Sequence, residues 1–156
     1  MKPLEPSMQA PDFVMQRDGG DTISLKDFSG RFLVLYFYPR DDTPGCTKEA
    51  IGFTENLAAF QALGAEIIGV SRDTVAKHEK FIAKHDLKIP LGSDSEGKVT
   101  EDYGVWVEKN MYGKTYMGIE RATFLINPTG KIVEVWRKVR VKNHVNAVLD
   151  VLKAQN

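Results

Sequence analysis

The chain has 156 residues, of which 42% are hydrophobic and 27% charged, and its lysines and arginines equal its aspartates and glutamates at 21 each. That length suits one domain with a substantial core, read as residues 1–156, and the composition excludes a disordered or fibrous protein. With no net charge, no global field draws the chain to nucleic acid or to an anionic membrane, and neither is expected as a partner.

Taken in chain order, residues 1–11 contain one lysine and no apolar run of the signal-peptide kind, so nothing directs export. A hairpin is predicted next, with residues 13–15 and 22–24 flanking Arg17-Asp18-Gly19-Gly20-Asp21. Residues 32–38 (FLVLYFY) form the longest apolar run. They are too few for a membrane helix and too uniformly apolar for a half-exposed strand, which makes them a central strand covered on both faces. Thr43-Pro44 starts a helix, with Thr43 as N-cap and Pro44 in first position. Ala50, Phe53, Leu57, Phe60 and Leu63 give that helix one apolar side, and Gly64 stops it.

A strand at residues 66–70 follows, then a helix near 74–85 capped by Asp73 or Thr74, a short strand at 89–91 and a short helix at 97–103. Residues 122–126 and 131–136 make a hairpin around Asn127-Pro128-Thr129-Gly130. A last helix near 143–153 presents Val145, Val148, Leu149 and Leu152 on one face. This alternation predicts an α/β protein of thioredoxin-like size: a central mixed sheet flanked by helices, with an N-terminal β-hairpin.

Several signals lead nowhere. Gly113-Lys114-Thr115 is not a phosphate loop, because Glu108 stands where the first glycine belongs, and Pro128 forbids glycosylation at Asn127. His78, His85 and His144 have no partners at metal-ligand spacing, so packing or surface roles suffice and no metal is expected. Lys138, Arg140 and Lys142, alternating with Val139 and Val141, read as a strand with a charged outer face rather than a binding strip.

The segment from Tyr38 to Thr47 (YPRDDTPGCT) carries the chemistry. It leaves a buried strand and enters a helix, the place where α/β sheets put their ligand sites. With Thr43 as N-cap, Cys46 is the third helical residue, near unpaired N–H groups and the positive end of the helix dipole, which favour thiolate. Gly45 leaves room for a small substrate to approach the main chain. Asp41 and Asp42 oppose a further negative charge, so a cation is required nearby.

Pro39-x-x-x-Thr43-x-x-Cys46 matches the peroxiredoxin signature, and Tyr36-Phe37-Tyr38-Pro39 through Thr43-Pro44-Gly45-Cys46-Thr47 resembles the bacterioferritin comigratory protein, or peroxiredoxin Q, subfamily. The likeness extends to Ala10-Pro11-Asp12-Phe13, Gly69-Val70-Ser71, Tyr103-Gly104-Val105-Trp106 and Arg121-Ala122-Thr123-Phe124-Leu125-Ile126. The resemblance implies a thiol-dependent peroxidase without a cofactor, with Cys46 as nucleophile toward hydroperoxides. It implies further that Thr43 orients the peroxide, Pro39 shields the sulfur, Arg121 supplies the cation and Glu49 holds Arg121. Tyr38, Phe53 and Trp106 either line the pocket or pack.

Many members of the subfamily carry a resolving cysteine five residues after the first, on the same helix, and others carry it on the next helix. Here Ile51 stands at the first position, and residues 80–84 have no cysteine either. An internal two-cysteine cycle is therefore excluded, whether the chain is a natural one-cysteine member or one whose resolving residue was replaced. An external thiol such as thioredoxin, glutaredoxin or glutathione is the expected reductant, and a cytoplasmic monomer the expected form. A dithiol oxidoreductase would need Cys-x-x-Cys, which is absent. A non-enzymatic sensor acting through oxidised Cys46 is the alternative of a different class.

Overall fold

The structure, a computed structural model, describes residues 3–155. Met1, Lys2 and Asn156, the extremes of the span read as one domain, lie outside the described residues. In chain order the elements are β1 (Val14–Arg17), β2 (Thr22–Ser24), β3 (Phe32–Phe37), α1 (Pro44–Ala62), β4 (Ala65–Ser71), α2 (Val75–His85) and β5 (Leu91–Ser93). They continue with α3 (Lys98–Asp102), β6 (Trp106–Met111), β7 (Lys114–Ile119), β8 (Ala122–Ile126), β9 (Ile132–Trp136) and α4 (His144–Lys153).

One seven-stranded sheet has the order β2-β1-β5-β4-β3-β8-β9. β3 pairs parallel with β4 and antiparallel with β8, which makes the sheet mixed. The all-apolar β3 lies inside it, between β4 and β8, with Leu33 through Tyr38 buried. Because side chains alternate across a strand, Val34, Tyr36 and Tyr38 join Phe53 and Phe60 of α1, Phe81 of α2 and Val148 of α4 on one face. Leu33, Leu35 and Phe37 join Val99 of α3, Tyr103 and the N-terminal Phe13 on the other. Helices thus cover both faces, and the β1–β2 hairpin extends one edge, the thioredoxin-like arrangement expected from the sequence.

Two local expectations change, and one element is added. The short strand is at Leu91–Ser93, two residues later than the pattern suggests, because Gly69 and Val70 pair with Leu91 and Gly92. Residues 137–143 form no strand. Their Val139 N–H instead bonds the Arg121 carbonyl at 3.0 Å, holding the segment as a loop against the site. The added element is a separate two-stranded ribbon, β6–β7, that the sequence reading left unassigned. It turns at Tyr112 and Gly113, both at positive φ (52° and 78°), as a tight hairpin turn requires. No helix among the described residues is long and apolar enough to cross a membrane.

The β3–β4 register sets Tyr36 opposite Gly69. The Tyr36 ring covers that glycine and stacks on Phe53 of α1 at 4.6 Å. A Cβ at Gly69 would meet the Tyr36 ring at 2.7 Å and Leu91 at 3.0 Å, and these neighbours are fully buried and have nowhere to go. Gly69→Ala is therefore expected to cost about 1–3 kcal/mol of stability. Urea denaturation of both proteins checks it, and an unchanged midpoint would show that the sheet relaxes around the methyl group.

Candidate active site

The antiparallel register of β3 and β8 pairs Phe37 with Ala122. The residue before β8, Arg121, therefore lies beside the end of β3, where the chain turns into the loop leading to Cys46. α1 begins at Pro44 with Thr43 in the N-cap position, so Cys46 falls on its first turn as expected. The Cys46 side chain is buried, and Arg121 Nη2 donates to its Sγ at 3.3 Å. Glu49, three residues on and hence on the same side of the helix, accepts from Arg121 Nη1 through Oε1 at 2.7 Å. A single guanidinium thus joins the sulfur to a buried carboxylate, using two donors of its planar fork.

Thr43 occupies the N-cap position without capping through its side chain. The Thr43 hydroxyl donates to the Arg40 carbonyl at 3.0 Å and caps no helical N–H. Its side chain closes the loop on itself, while the backbone carbonyl of Thr43 accepts the first helical bond from Thr47 N–H at 2.8 Å. Pro39 opens the loop and is exposed. A Cβ on Gly45 would lie 3.1 Å from Arg121 Nη2, so the room left by Gly45 is filled by the guanidinium that reaches Cys46. Of the three aromatic candidates, Phe53 packs under Tyr36, Tyr38 donates to Asp41 Oδ1 at 2.5 Å, and Trp106 lies under the Arg72 guanidinium, 3.4 Å from its ring centre.

Burial pushes the Glu49 carboxyl up to about 7, outweighing the pull of Arg121. Its second oxygen, Oε2, and the Tyr36 hydroxyl are buried without hydrogen-bond partners. Burial first, and then the charge of Glu49, holds the Tyr36 phenol well above its usual range. His144, set aside above as a metal ligand, bonds Thr123 Oγ1 at 2.8 Å, and burial together with Arg121 lowers it to about 4. Among the described residues no group of three or more histidine, cysteine or acidic side chains could hold a metal ion.

Lys109 of β6 was not foreseen. Its stem runs beside Gly118, where a Cβ would meet Lys109 Cδ at 3.2 Å. Burial and then Arg121 push its ammonium below the usual lysine range, whereas Cys46 and Glu120 act in the opposite sense. Only the recognition of β6–β7 as a ribbon beside the site could have marked it.

A thioredoxin-like sheet with a lone buried thiol on the first helical turn, bonded to an arginine, defines a class of thiol-based redox proteins. Residues 6–135 match the AhpC/TSA family. The chain is 49% identical to peroxiredoxin Bcp of Bacillus subtilis over 150 residues, which cover 96% of each chain. A mutant of Xylella fastidiosa PrxQ superposes with a TM-score of 0.94 at 39% identity over 99% of both chains. The bacterioferritin comigratory protein of Xanthomonas campestris, solved in trapped-intermediate and ligand complexes bearing on its alkyl peroxide reduction, gives 0.88 at 46% identity over 92% of this chain and 91% of that one. This chain belongs to the AhpC/TSA family and, within it, to the peroxiredoxins of the Bcp, or peroxiredoxin Q, type. It is accordingly a thiol peroxidase.

The Glu49 carboxyl stands at about 7 in the fold against an ordinary 4.5, so between those values the folded chain holds a proton that the unfolded chain has released. Stability from this group therefore falls as pH rises through that window. Glu49→Gln is expected to remove that part of the slope. Urea midpoints of both proteins at about pH 5 and about pH 8 check it; a parent that loses no more stability than the variant overturns the assignment.

Proposed function

We propose that Cys46 is the peroxide-reactive residue of a one-cysteine cycle completed by an external thiol. The observation that carries this reading is the Arg121 Nη2 to Cys46 Sγ contact at 3.3 Å on the first turn of α1. The guanidinium and the unpaired N–H groups of that turn direct positive charge toward the sulfur. The sulfur attacks the terminal oxygen of a hydroperoxide, hydrogen peroxide or an alkyl hydroperoxide. An S–O bond forms as the O–O bond breaks, and the departing oxygen takes a proton and leaves as water or alcohol.

Arg121 can donate both to the sulfur and to the oxygen on which charge develops, and Glu49 fixes the plane of its fork. In the proposal Thr43 orients the peroxide and Pro39 covers the approach to the sulfur. A thiol then attacks the Cys46 sulfenic acid, giving a mixed disulfide and water. A second thiol releases the disulfide and restores Cys46. The chain has one cysteine, so both thiols come from outside: thioredoxin, glutaredoxin or glutathione, acting on a cytoplasmic monomer.

Cys46→Ser is expected to abolish thiol-dependent peroxide consumption, and turnover in that variant would overturn the reading. Arg121→Lys keeps the charge and loses the fork, so the rate constant with peroxide should fall by more than about tenfold while the fold survives. Stopped-flow measurement on the folded variant decides it, and a near-parent rate removes Arg121 from the chemistry.

Ile51→Cys probes whether the helix opens during the cycle. Residues five apart on a straight helix are separated by about 7.5 Å of rise, beyond the Cα separation of about 4.4–6.8 Å that a disulfide tolerates. After one equivalent of peroxide, mass spectrometry is expected to find a loss of two hydrogens if the first turns of α1 unwind. Persistent sulfenic acid would show that they stay wound on the catalytic timescale.

A further inference from the structure

The loop between β3 and α1 is tied to α2 by buried bonds that the peroxide step does not use. Asp41 has its side chain only 6% exposed, and His78 of α2 has none exposed. His78 Nε2 lies 2.9 Å from the Gly92 carbonyl, an oxygen that only accepts, so Nε2 carries a hydrogen. Nδ1 lies 2.7 Å from Asp41 Oδ2, and two bare acceptors would repel at that distance, so a proton lies between them. The other Asp41 oxygen accepts from Tyr38 at 2.5 Å.

The backbone of Asp41 is held as well. Its N–H donates to Asp73 Oδ2 at 2.7 Å, and the same oxygen accepts from the Ser71 hydroxyl, also at 2.7 Å. Asp42, at φ 60°, accepts from Lys84 at 2.7 Å and pairs with His85 at 2.8 Å, but these bonds face solvent and are worth little. The buried Asp41–His78 contact is therefore the strong point of the attachment, since breaking it strands a buried polar group. Asp41 lies five positions before Cys46, so whatever holds the loop against α2 also holds the entry to the helix that carries the sulfur.

The geometry points to Asp41 and His78 as positioning residues: a latch that keeps the loop and the first turn of α1 closed around Cys46. It sets how oxidised Cys46 divides between an external thiol and a second peroxide. This rests on the reading of Cys46 as the peroxide-reactive residue. While the latch is closed, the sulfenic acid stays beside Arg121, where another hydroperoxide reacts as the first did, giving sulfinic acid and water or alcohol. When the latch opens, the sulfur becomes accessible to a bulkier thiol, which forms the mixed disulfide and releases water. The latch acts on the second half of the cycle, through the population of the open loop.

Asp41→Ala removes the acceptor for both Tyr38 and His78. Asp41→Asn keeps an oxygen for the Tyr38 hydroxyl and offers an N–H to His78 Nδ1, so it loses the charge and preserves the latch. Two readouts are compared across parent and variants: amide hydrogen exchange over residues 41–47, and the ratio of sulfinic acid formation in excess peroxide to sulfenic acid reduction by dithiothreitol.

In Asp41→Ala, exchange should quicken and the ratio fall by about tenfold, the order expected when buried hydrogen bonds of the closed state are lost. Asp41→Asn should stay near the parent in both. His78→Phe, which fills the ring's space, makes the same break from α2 and carries the test if Asp41→Ala does not fold. Parent-like exchange and ratio in the broken variant overturn the latch, and so does equal damage from alanine and asparagine, which would mean that Asp41 acts by charge. A parent that consumes no peroxide overturns the reading of Cys46 instead, while hydrogen exchange still decides whether the latch exists.

Discussion

The site is organised around one guanidinium that is largely withdrawn from water. A charge in that position must be paired, and Arg121 is paired twice, to the Glu49 carboxylate and to the Cys46 sulfur. The requirement reaches through the fold. Cys46 and Glu49 must be one helical turn apart and face the sheet, which fixes where α1 begins. The β3–β8 register must bring the residue before β8 to the end of β3. Gly45 leaves the space beside it to the guanidinium, which a Cβ there would approach to 3.1 Å. A slip of one residue in the β3–β8 pairing would turn every side chain of one strand to the opposite face and carry Arg121 away from the sulfur.

The core supplies the rigidity that this arrangement needs. Tyr36 is pressed between Gly69 and Phe53, binding β3, β4 and α1 into one layer. α4 closes the other side of α1, with Val145 within reach of Gly52. Glu49 and Tyr36 each keep a buried oxygen without a hydrogen-bond partner, a cost that neighbouring packing must offset. Strain of this kind gathers beside reactive groups, where shape and charge serve chemistry before stability.

Attachment of the Cys46 loop is lopsided. On the α2 side it is held by buried bonds from Asp41 to His78 and Tyr38. Toward solvent, Pro39 and Asp42 are exposed, and the ion pairs of Asp42 are open to screening. The buried end is thus the firmer attachment of the loop. In the cycle proposed for this single-cysteine chain, the oxidised sulfur is reached from outside.

The elements most legible in the amino-acid order were those whose burial pattern is local. The FLVLYFY run could only be a covered central strand, and Thr43-Pro44 and Gly64 bound α1 by backbone chemistry alone. The peroxiredoxin signature around Cys46 was readable for the same reason, being contiguous. Misread elements were those decided by partners distant in sequence. Alternation at residues 138–142 looked like a strand, yet tertiary contact with Arg121 holds them as a loop. The β6–β7 ribbon has few buried side chains to give it a period, and the offset of β5 follows from its pairing with β4. The space beside Gly45 went to Arg121, and Lys109 arrived by way of the ribbon. By itself, then, the sequence determined the family, the helix that carries the thiol and the need for a cation, because these follow from residue type and short spacing. Which donors meet the sulfur, and which side chains bond its loop, was decided by the tertiary structure, because hydrogen bonds at about 3 Å depend on strand register and side-chain packing that no local pattern encodes.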